Sequence, residues 1–345
     1  MEQPLLVGAG HAMIDITAQL DEKSWESFLD RSGLSPDEHP IHVDAEKAAG
    51  LALLLKESVR NGGGTWTVSS GGSAFNTLAI AAMLGIPGEF IGSIGKDDNG
   101  DFFGSELSRI QVPMHLRLAR HDIPTGVFCH IGNAQGQSIA WACPAAARKV
   151  REMLSNGQIL PAMTAAASPG ILHLEGLLFD EPDSLDKLCR KARAEGWKLS
   201  FDLVSAGFIA RHSGAARALI SEHADFIFCT RKEQDALRMS AGDQNPSQCW
   251  IVKEDVKGVM CHYQGRQCYH EAPHVPVVHT TGAGDAFAGA FLAGMFRHQP
   301  VETCMEMGSA AAGCVLRSEE GIFNRTCLLQ SIKSILAAPP GFSLH

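Results

Sequence analysis

Between residues 171 and 252, short apolar runs alternate with helix-length segments, and this alternation limits what the chain can become. Segments 171–174, 198–203, 225–229 and 250–252 are strand-length and largely apolar. Segments 181–195 and 215–223 lie between them with helical spacing of apolar residues. Strands separated by helices pair in parallel and are covered on both faces. The expected fold is therefore α/β, a mostly parallel central sheet between helical layers. An antiparallel pair is expected at 258–263 and 268–269. In such sheets a ligand crevice opens at the carboxyl ends of the strands.

The rest of the chain fits one large domain over residues 1–345. Residues 24–29 and 45–59 have helical patches, glycines 62–64 make a break, and 65–69 is strand-like. From Pro124 to Trp141, β-rich runs flank Gly132 to Gly136 and predict a hairpin. Lys plus Arg is 29 and Asp plus Glu is 38, a net charge of −9. That balance argues against a broad nucleic-acid or anionic-membrane surface. No apolar run has the length of a membrane span, and the first residues lack signal-peptide character. The ten cysteines are scattered without a Cys-x-x-Cys pair. They read as reduced thiols of a cytoplasmic protein, with no zinc site.

The chemistry concentrates in 277–296, where Thr280-Thr281-Gly282-Ala283-Gly284-Asp285 precedes a long run of small apolar residues. Glycines at a helix start let the chain bend and leave the amides of Gly282, Ala283 and Gly284 open to an anion such as phosphate. Asp285 beside such a site is electrostatically costly. Either it caps the helix, or it takes a proton from an attacking hydroxyl while the amides hold the charge on a phosphoryl group. The residues alone leave these two readings level.

At the amino end, Gly8-Ala9-Gly10 follows the apolar run 5–7 and invites a dinucleotide-binding reading. Met13 occupies the third glycine position, and no helix with a second strand follows. The alternative places Asp15 at the end of this first strand, where a carboxylate can accept hydrogen bonds from neighbouring hydroxyls. Gly71-Gly72-Ser73-Ala74-Phe75-Asn76 opens a helix, with Ser73 as the expected cap. Asn76 is a candidate ligand contact, or else a local side-chain-to-backbone bond.

The strings Gly71-Gly72-Ser73-Ala74-Phe75-Asn76, Gly92-Ser93-Ile94-Gly95-Lys96-Asp97-Asp98-Asn99-Gly100 and Thr280-Thr281-Gly282-Ala283-Gly284-Asp285 together resemble the two signatures of the PfkB, or ribokinase-like, family of sugar and nucleoside kinases. The likeness is greatest to the adenosine-kinase subgroup and its bacterial sugar-kinase relatives. It implies a three-layer ribokinase-like fold with a small β lid, drawn from segments within about 14–70 and 112–145. It implies an ATP- and Mg²⁺-dependent transfer to the primary hydroxyl of a small sugar or nucleoside. Asp285 would be the base, and the Gly282, Ala283 and Gly284 amides the anion hole. Asp15, Gly71, Gly72 and Asn76 would hold the acceptor, with Phe208 available to stack on a base. Thr230, Lys257, Gly258, Thr280 and Thr281 would lie along the nucleotide, and Glu233 would order water on the metal. Members occur as monomers and as homodimers.

The chain departs from the family pattern where Thr230 replaces an Asn, Asp255 replaces a Gly and His279 replaces an Asp. The last puts activation by a monovalent cation in doubt. These departures keep open a binding protein that has lost efficient ATP use. A dinucleotide-dependent oxidoreductase is the remote third reading.

Overall fold

The computed structural model describes residues 5–36, 40–62, 64–109, 111–159, 163, 168–239, 245–278, 280–318, 322 and 324–337. The larger of two sheets runs, edge to edge, β14 (Arg266–His270), β13 (Val259–Tyr263), β12 (Cys249–Lys253), β11 (Phe226–Thr230), β10 (Lys198–Asp202), β9 (Ile171–Glu175), β1 (Leu6–Ala9), β5 (Gly88–Gly95) and β6 (Met114–His121). Its strands are parallel from β12 to β6, and β13 and β14 add the expected antiparallel pair. The smaller sheet runs β3 (Ile41–His42), β8 (Ser138–Cys143), β7 (Gly126–Asn133), β2 (Met13–Leu20) and β4 (Gly64–Gly71).

The layers follow from the two-residue period of strands. Ile171, Phe226, Phe228, Cys249 and Ile251 face one core, which they share with Leu78 of α3 (Ser73–Met83), Phe291 of α9 (Ala283–Phe296) and Met305 of α10 (Val301–Leu316). Leu172, Leu174, Ile227, Trp250 and Val252 face the other, with Met153 of α5 (Val150–Ser155), Leu185 of α6 (Pro182–Ala194) and Ile220 of α7 (Ala206–His223). Burying such an aliphatic or aromatic side chain is worth about 1.5–3 kcal/mol each. The remaining helices are α1 (Glu22–Ser32), α2 (Ala45–Gly62), α4 (Asp98–Arg109), α8 (Arg231–Leu237) and α11 (Arg325–Ala337). Among the described residues, no helix is long and apolar enough to cross a membrane.

In the small sheet, Ile14 and Ile16 of β2 turn to the core that holds Phe28 of α1 and Leu55 of α2. Asp15 therefore faces the opposite way. It lies inside β2, not at the end of the first strand as the sequence led us to expect. The small sheet is drawn from both sequence regions expected to supply the lid, whereas β6, within the second region, belongs to the large sheet. Strand β1 passes directly into β2, so the strand–helix unit that a dinucleotide site needs is not present there. Helix α7 begins at Ala206, not at 215, because Ser205 caps it by accepting the Phe208 N–H.

The cysteine expectation needs correction. Cys314 and Cys327 form a disulfide with Cα atoms 5.9 Å apart. The packing of α11 on α10 brings them together, and a separation of 13 residues gives no hint of it. The other eight cysteines are free, and all but Cys268 are buried. The cytoplasmic expectation thereby loses its argument from uniformly reduced thiols.

Candidate active site

Helix α9 opens at Gly282, whose φ of 83° lies in the left-handed region where a side chain is disfavoured. That bend turns the segment from Thr281 into the helix. Further along, a Cβ on Gly289 would run into the Thr77 carbonyl, so only glycine lets α9 lie so close to α3. The contact sets Asp285 against the first turn of α3.

Asp285 is not a helix cap: it is the third residue of α9, and its side chain makes no capping bond. Ser73 Oγ donates to Asp285 Oδ1 at 2.8 Å, and Asn76 Nδ2 donates to Oδ2 at 2.9 Å. Ser73 likewise does not cap α3; Gly72 takes that position, and the serine hydroxyl is spent on Asp285. The Oδ1 atom of Asn76 is buried without a partner among the described residues, an acceptor open to an incoming hydroxyl. The amides of Gly282, Gly284 and Asp285 have no acceptor among the described residues, whereas the Ala283 N–H reaches the Thr280 carbonyl at 3.3 Å. The open amides at the positive end of α9 are thus those of residues 282, 284 and 285.

Asp15 reaches the same cleft from the small sheet. A Cβ on Gly71 would overlap its carboxylate, so the paired β4 strand must carry glycine there. A Cβ on Gly72 would strike the His11 carbonyl. Burial, then the charge of Asp285, raise the Asp15 carboxyl to about 8, against a hydrogen bond from Asn76. Burial, then Asp202, raise Asp285 to about 6, while Asn76, Lys253 and Ser73 favour its charged form.

This has a consequence for stability. Between pH 3.8 and about 8, folded Asp15 keeps a proton that the unfolded chain has released. Stability therefore falls as pH rises through that window. Asp15→Asn removes the loss. Its melting temperature should exceed the wild-type value at about pH 9 and approach it near pH 4. An equal difference at both pH values contradicts the raised Asp15 pKa.

The carboxyl edge of the sheet holds residues that the sequence reading passed over. Parallel register places Asp202 beside Glu175, and Lys253 beside Thr230, at neighbouring strand ends. Lys253 Nζ lies 3.2 Å from Asp202 Oδ2. It also lies 3.1 Å from where a Cβ on Gly284 would stand, beneath the first turn of α9. Burial opposes its charge, but Asp202, Glu233 and Asp285 outweigh that and raise its pKa. His11 and Glu175 are bonded to each other through both the His11 N–H and its ring. His173, beneath them, bonds Ser200 at 2.9 Å, and burial lowers its pKa to about 4 despite Asp202 and Glu175. An available signal was the pattern of an apolar strand ending in a charged residue, as in Ile171–Glu175, Lys198–Asp202 and Cys249–Lys253.

Thr230 and Glu233 form a capping box at the start of α8, the Thr230 N–H donating to Glu233 Oε2 at 2.7 Å. Thr230 thus fills the capping role that an Asn would have there. Burial raises the Glu233 pKa, with Lys253 opposing. Lys257 and Gly258 end the turn after β12, Lys257 being exposed and Gly258 having a φ of 116°. Asp255 lies exposed in that turn. Thr280 is exposed and Thr281 half-buried just before α9. Phe208, half-buried in the first turn of α7, stacks on His212 with ring centroids 4.4 Å apart. His279 lies outside the described residues. Carboxylate oxygens such as that of Glu233 suit a hard divalent cation that retains water. Among the described residues, the group that could close directly on a metal is Asp186, Glu222 and His223. It sits at the amino-edge side of the sheet, where Arg190 already pairs with Asp186 and Glu222.

The sequence model of the pfkB family carbohydrate kinases matches residues 46–326. The chain belongs to this family. A 5-dehydro-2-deoxygluconokinase of Listeria monocytogenes is 23% identical over 300 residues, covering 79% of this chain and 88% of that protein. Adenosine kinase 2 of Arabidopsis thaliana is 22% identical over 346 residues, covering 91% and 94%. Among solved structures, a protein described as a probable sugar kinase from Rhizobium etli CFN 42 superposes with a TM-score of 0.79 at 25% identity, covering 97% of this chain and 99% of that one. The adenosine kinase of Sinorhizobium meliloti superposes with a TM-score of 0.74 at 22% identity, covering 96% and 100%. This pfkB-family chain is therefore a ribokinase-like phosphotransferase that uses ATP and an alcohol acceptor on a small sugar or nucleoside. The oxidoreductase reading is withdrawn on the family match and the passage of β1 into β2.

Proposed function

We propose that the acceptor's primary hydroxyl sits between Asp15 and Asp285 and that Asp285 takes its proton as it attacks the γ-phosphorus of ATP. The observation that carries this reading is the Asp285 carboxylate, fixed by Ser73 and Asn76 beside open helix amides. Each carboxylate oxygen that accepts one hydrogen bond keeps a second lone pair for the substrate hydroxyl. As the O–P bond forms, the bond to the leaving ADP oxygen breaks, and the hydroxyl proton passes to Asp285. The open amides of Gly282, Gly284 and Asp285 hold the charge on the transferring group, with the Lys253 ammonium beneath them.

Asp15, Asn76 and the Gly71-Gly72 backbone orient the acceptor. Thr230, Lys257, Gly258, Thr280 and Thr281 line the nucleotide. Glu233 would hold Mg²⁺ through water, and the ion would neutralise the nucleotide phosphates. The small sheet acts as a lid that keeps water from the phosphoryl group. The capping box at Thr230 and the exposed position of Asp255 favour a working enzyme over an impaired binding protein.

Among the relatives, one name specifies a dehydro-deoxygluconate and another adenosine, so both acceptors belong in the assay. ADP release should depend on ATP, Mg²⁺ and one member of a panel of sugars, sugar acids and nucleosides. Because the base must be deprotonated, kcat should rise with pH through about 6. No acceptor-dependent release across the panel would count against the reading, as would a rate falling through that pH range.

A further inference from the structure

The disulfide of Cys314 and Cys327 closes a connection that backs the glycine turn before α9. Cys314 lies in the last turn of α10 and Cys327 in the first turn of α11, so the bond ties two helix ends together. Within that connection Ile322 is buried in the core. A Cβ on Gly282 would lie 3.2 Å from Ile322 Cδ1 and 3.8 Å from Asn76 Nδ2, so Ile322 and α3 both reach the turn that carries the Gly282 amide. The Leu316 carbonyl, at the end of α10, accepts the Val278 N–H at 2.7 Å. A Cβ on Gly313 would stand 3.2 Å from Pro273 Cβ. The stretch leading into α9 thus leans at residues 273, 278 and 282 on the end of α10 and the connection after it.

The same bond is reachable and chemically poised. Cys314 is 2% exposed, whereas Cys327 is half-buried and open to attack from outside. The exposed Arg317 sets its guanidinium 2.9 Å from Cys327 Sγ and 3.5 Å from Cys314 Sγ. A cation beside sulfur favours the thiolate, and a stabilised thiolate leaves a disulfide faster. Helix α11 has other anchors: Asn324 Oδ1 accepts the Cys327 N–H at 3.0 Å, and Leu328 and Ile332 are buried. Opening the bond therefore loosens the connection while both helices stay packed.

We propose that Cys314–Cys327 is a thiol–disulfide exchange site: its oxidised form holds the anion-hole turn in place, and a dithiol reductant releases it. One thiolate of the reductant attacks Cys327 Sγ, and the S–S bond breaks with Cys314 leaving as a thiolate beside Arg317. The second thiol attacks the mixed disulfide and frees Cys327. Two electrons and two protons pass to the protein, and the reductant departs as its own disulfide. The exchange stands apart from the kinase reading, and its effect on ATP rests on that reading. Helix amides stabilise a transferring phosphoryl group only while they are aimed at it. A misplacement of about 1 Å can cost about a hundredfold in rate.

Dithiothreitol serves as the probe dithiol. Alkylation of the folded protein, read by mass spectrometry, follows the exchange without turnover. Cys314 and Cys327 should become labelled while the buried free cysteines stay protected. Arg317→Gln should slow the opening about threefold or more and leave kcat of the oxidised enzyme unchanged. Reduction should lower kcat and weaken binding of a nonhydrolysable ATP analogue, read by thermal shift, each about tenfold or more. Glutathione disulfide should restore both. The double variant Cys314→Ala, Cys327→Ala should behave as the reduced enzyme does and ignore dithiothreitol. A pair that resists dithiothreitol in the folded protein, or opens equally fast in Arg317→Gln, overturns the exchange site. Analogue binding that is the same in both redox states, or a double variant still sensitive to dithiothreitol, overturns the link to the turn. Opening with weakened analogue binding in a protein that releases no ADP supports the proposal and counts against the kinase reading alone.

Discussion

Asp285→Asn lowers kcat by about a hundred- to ten-thousandfold, the usual contribution of a positioned base. The fold should survive. The new amide can turn its oxygen to the Asn76 donor and its NH₂ to Ser73, whose hydroxyl rotates to accept. The substitution also removes a negative charge that raises the Asp15 pKa. Binding of acceptor, read by thermal shift, should therefore persist while turnover is lost. A variant with wild-type kcat would show that another group takes the proton. A variant that fails to bind acceptor would show that the carboxylate chiefly builds the pocket.

Lys253→Met should harm both stability and rate. Its ammonium is 18% exposed and the Asp202 carboxylate 3%, so removing the cation leaves a buried charge unpaired. Losing one partner of such a pair costs about 3–5 kcal/mol. Asp202→Asn in the same protein should recover part of that stability, because the stranded charge is gone. The rate should not recover. Lys253 lies under the amides proposed to hold the phosphoryl group, and losing one anion-hole donor typically costs about a hundred- to a thousandfold. Recovery of kcat in the double variant would make Lys253 a purely structural partner of Asp202. Unchanged melting of the single variant would contradict the buried pairing.

The large sheet was readable because β9 to β12 are short apolar runs separated by helical ones, and the antiparallel β13–β14 pair followed from its own pattern. The glycine turn before α9 was readable because glycines at a helix start let the chain bend, whereas the room that Gly71 and Gly72 leave for Asp15 and the His11 carbonyl was not. Other features needed three dimensions. Asp15 looked like a strand-end residue because the step from β1 into β2 crosses between sheets within a few residues. Ser73 fitted a cap, and only the packing of α3 against α9 turns its hydroxyl to Asp285. Asp202, Lys253 and Glu175 stand at strand ends far apart in sequence, and parallel register alone makes them neighbours.

The most direct test is a structure of the protein with ADP, aluminium fluoride and the acceptor that gives the fastest ADP release. The aluminium fluoride should rest on the main-chain N–H groups at 282–285, with the acceptor oxygen within hydrogen-bond reach of the Asp285 carboxylate. A fluoride group held elsewhere, or an acceptor oxygen remote from Asp285, would contradict the account.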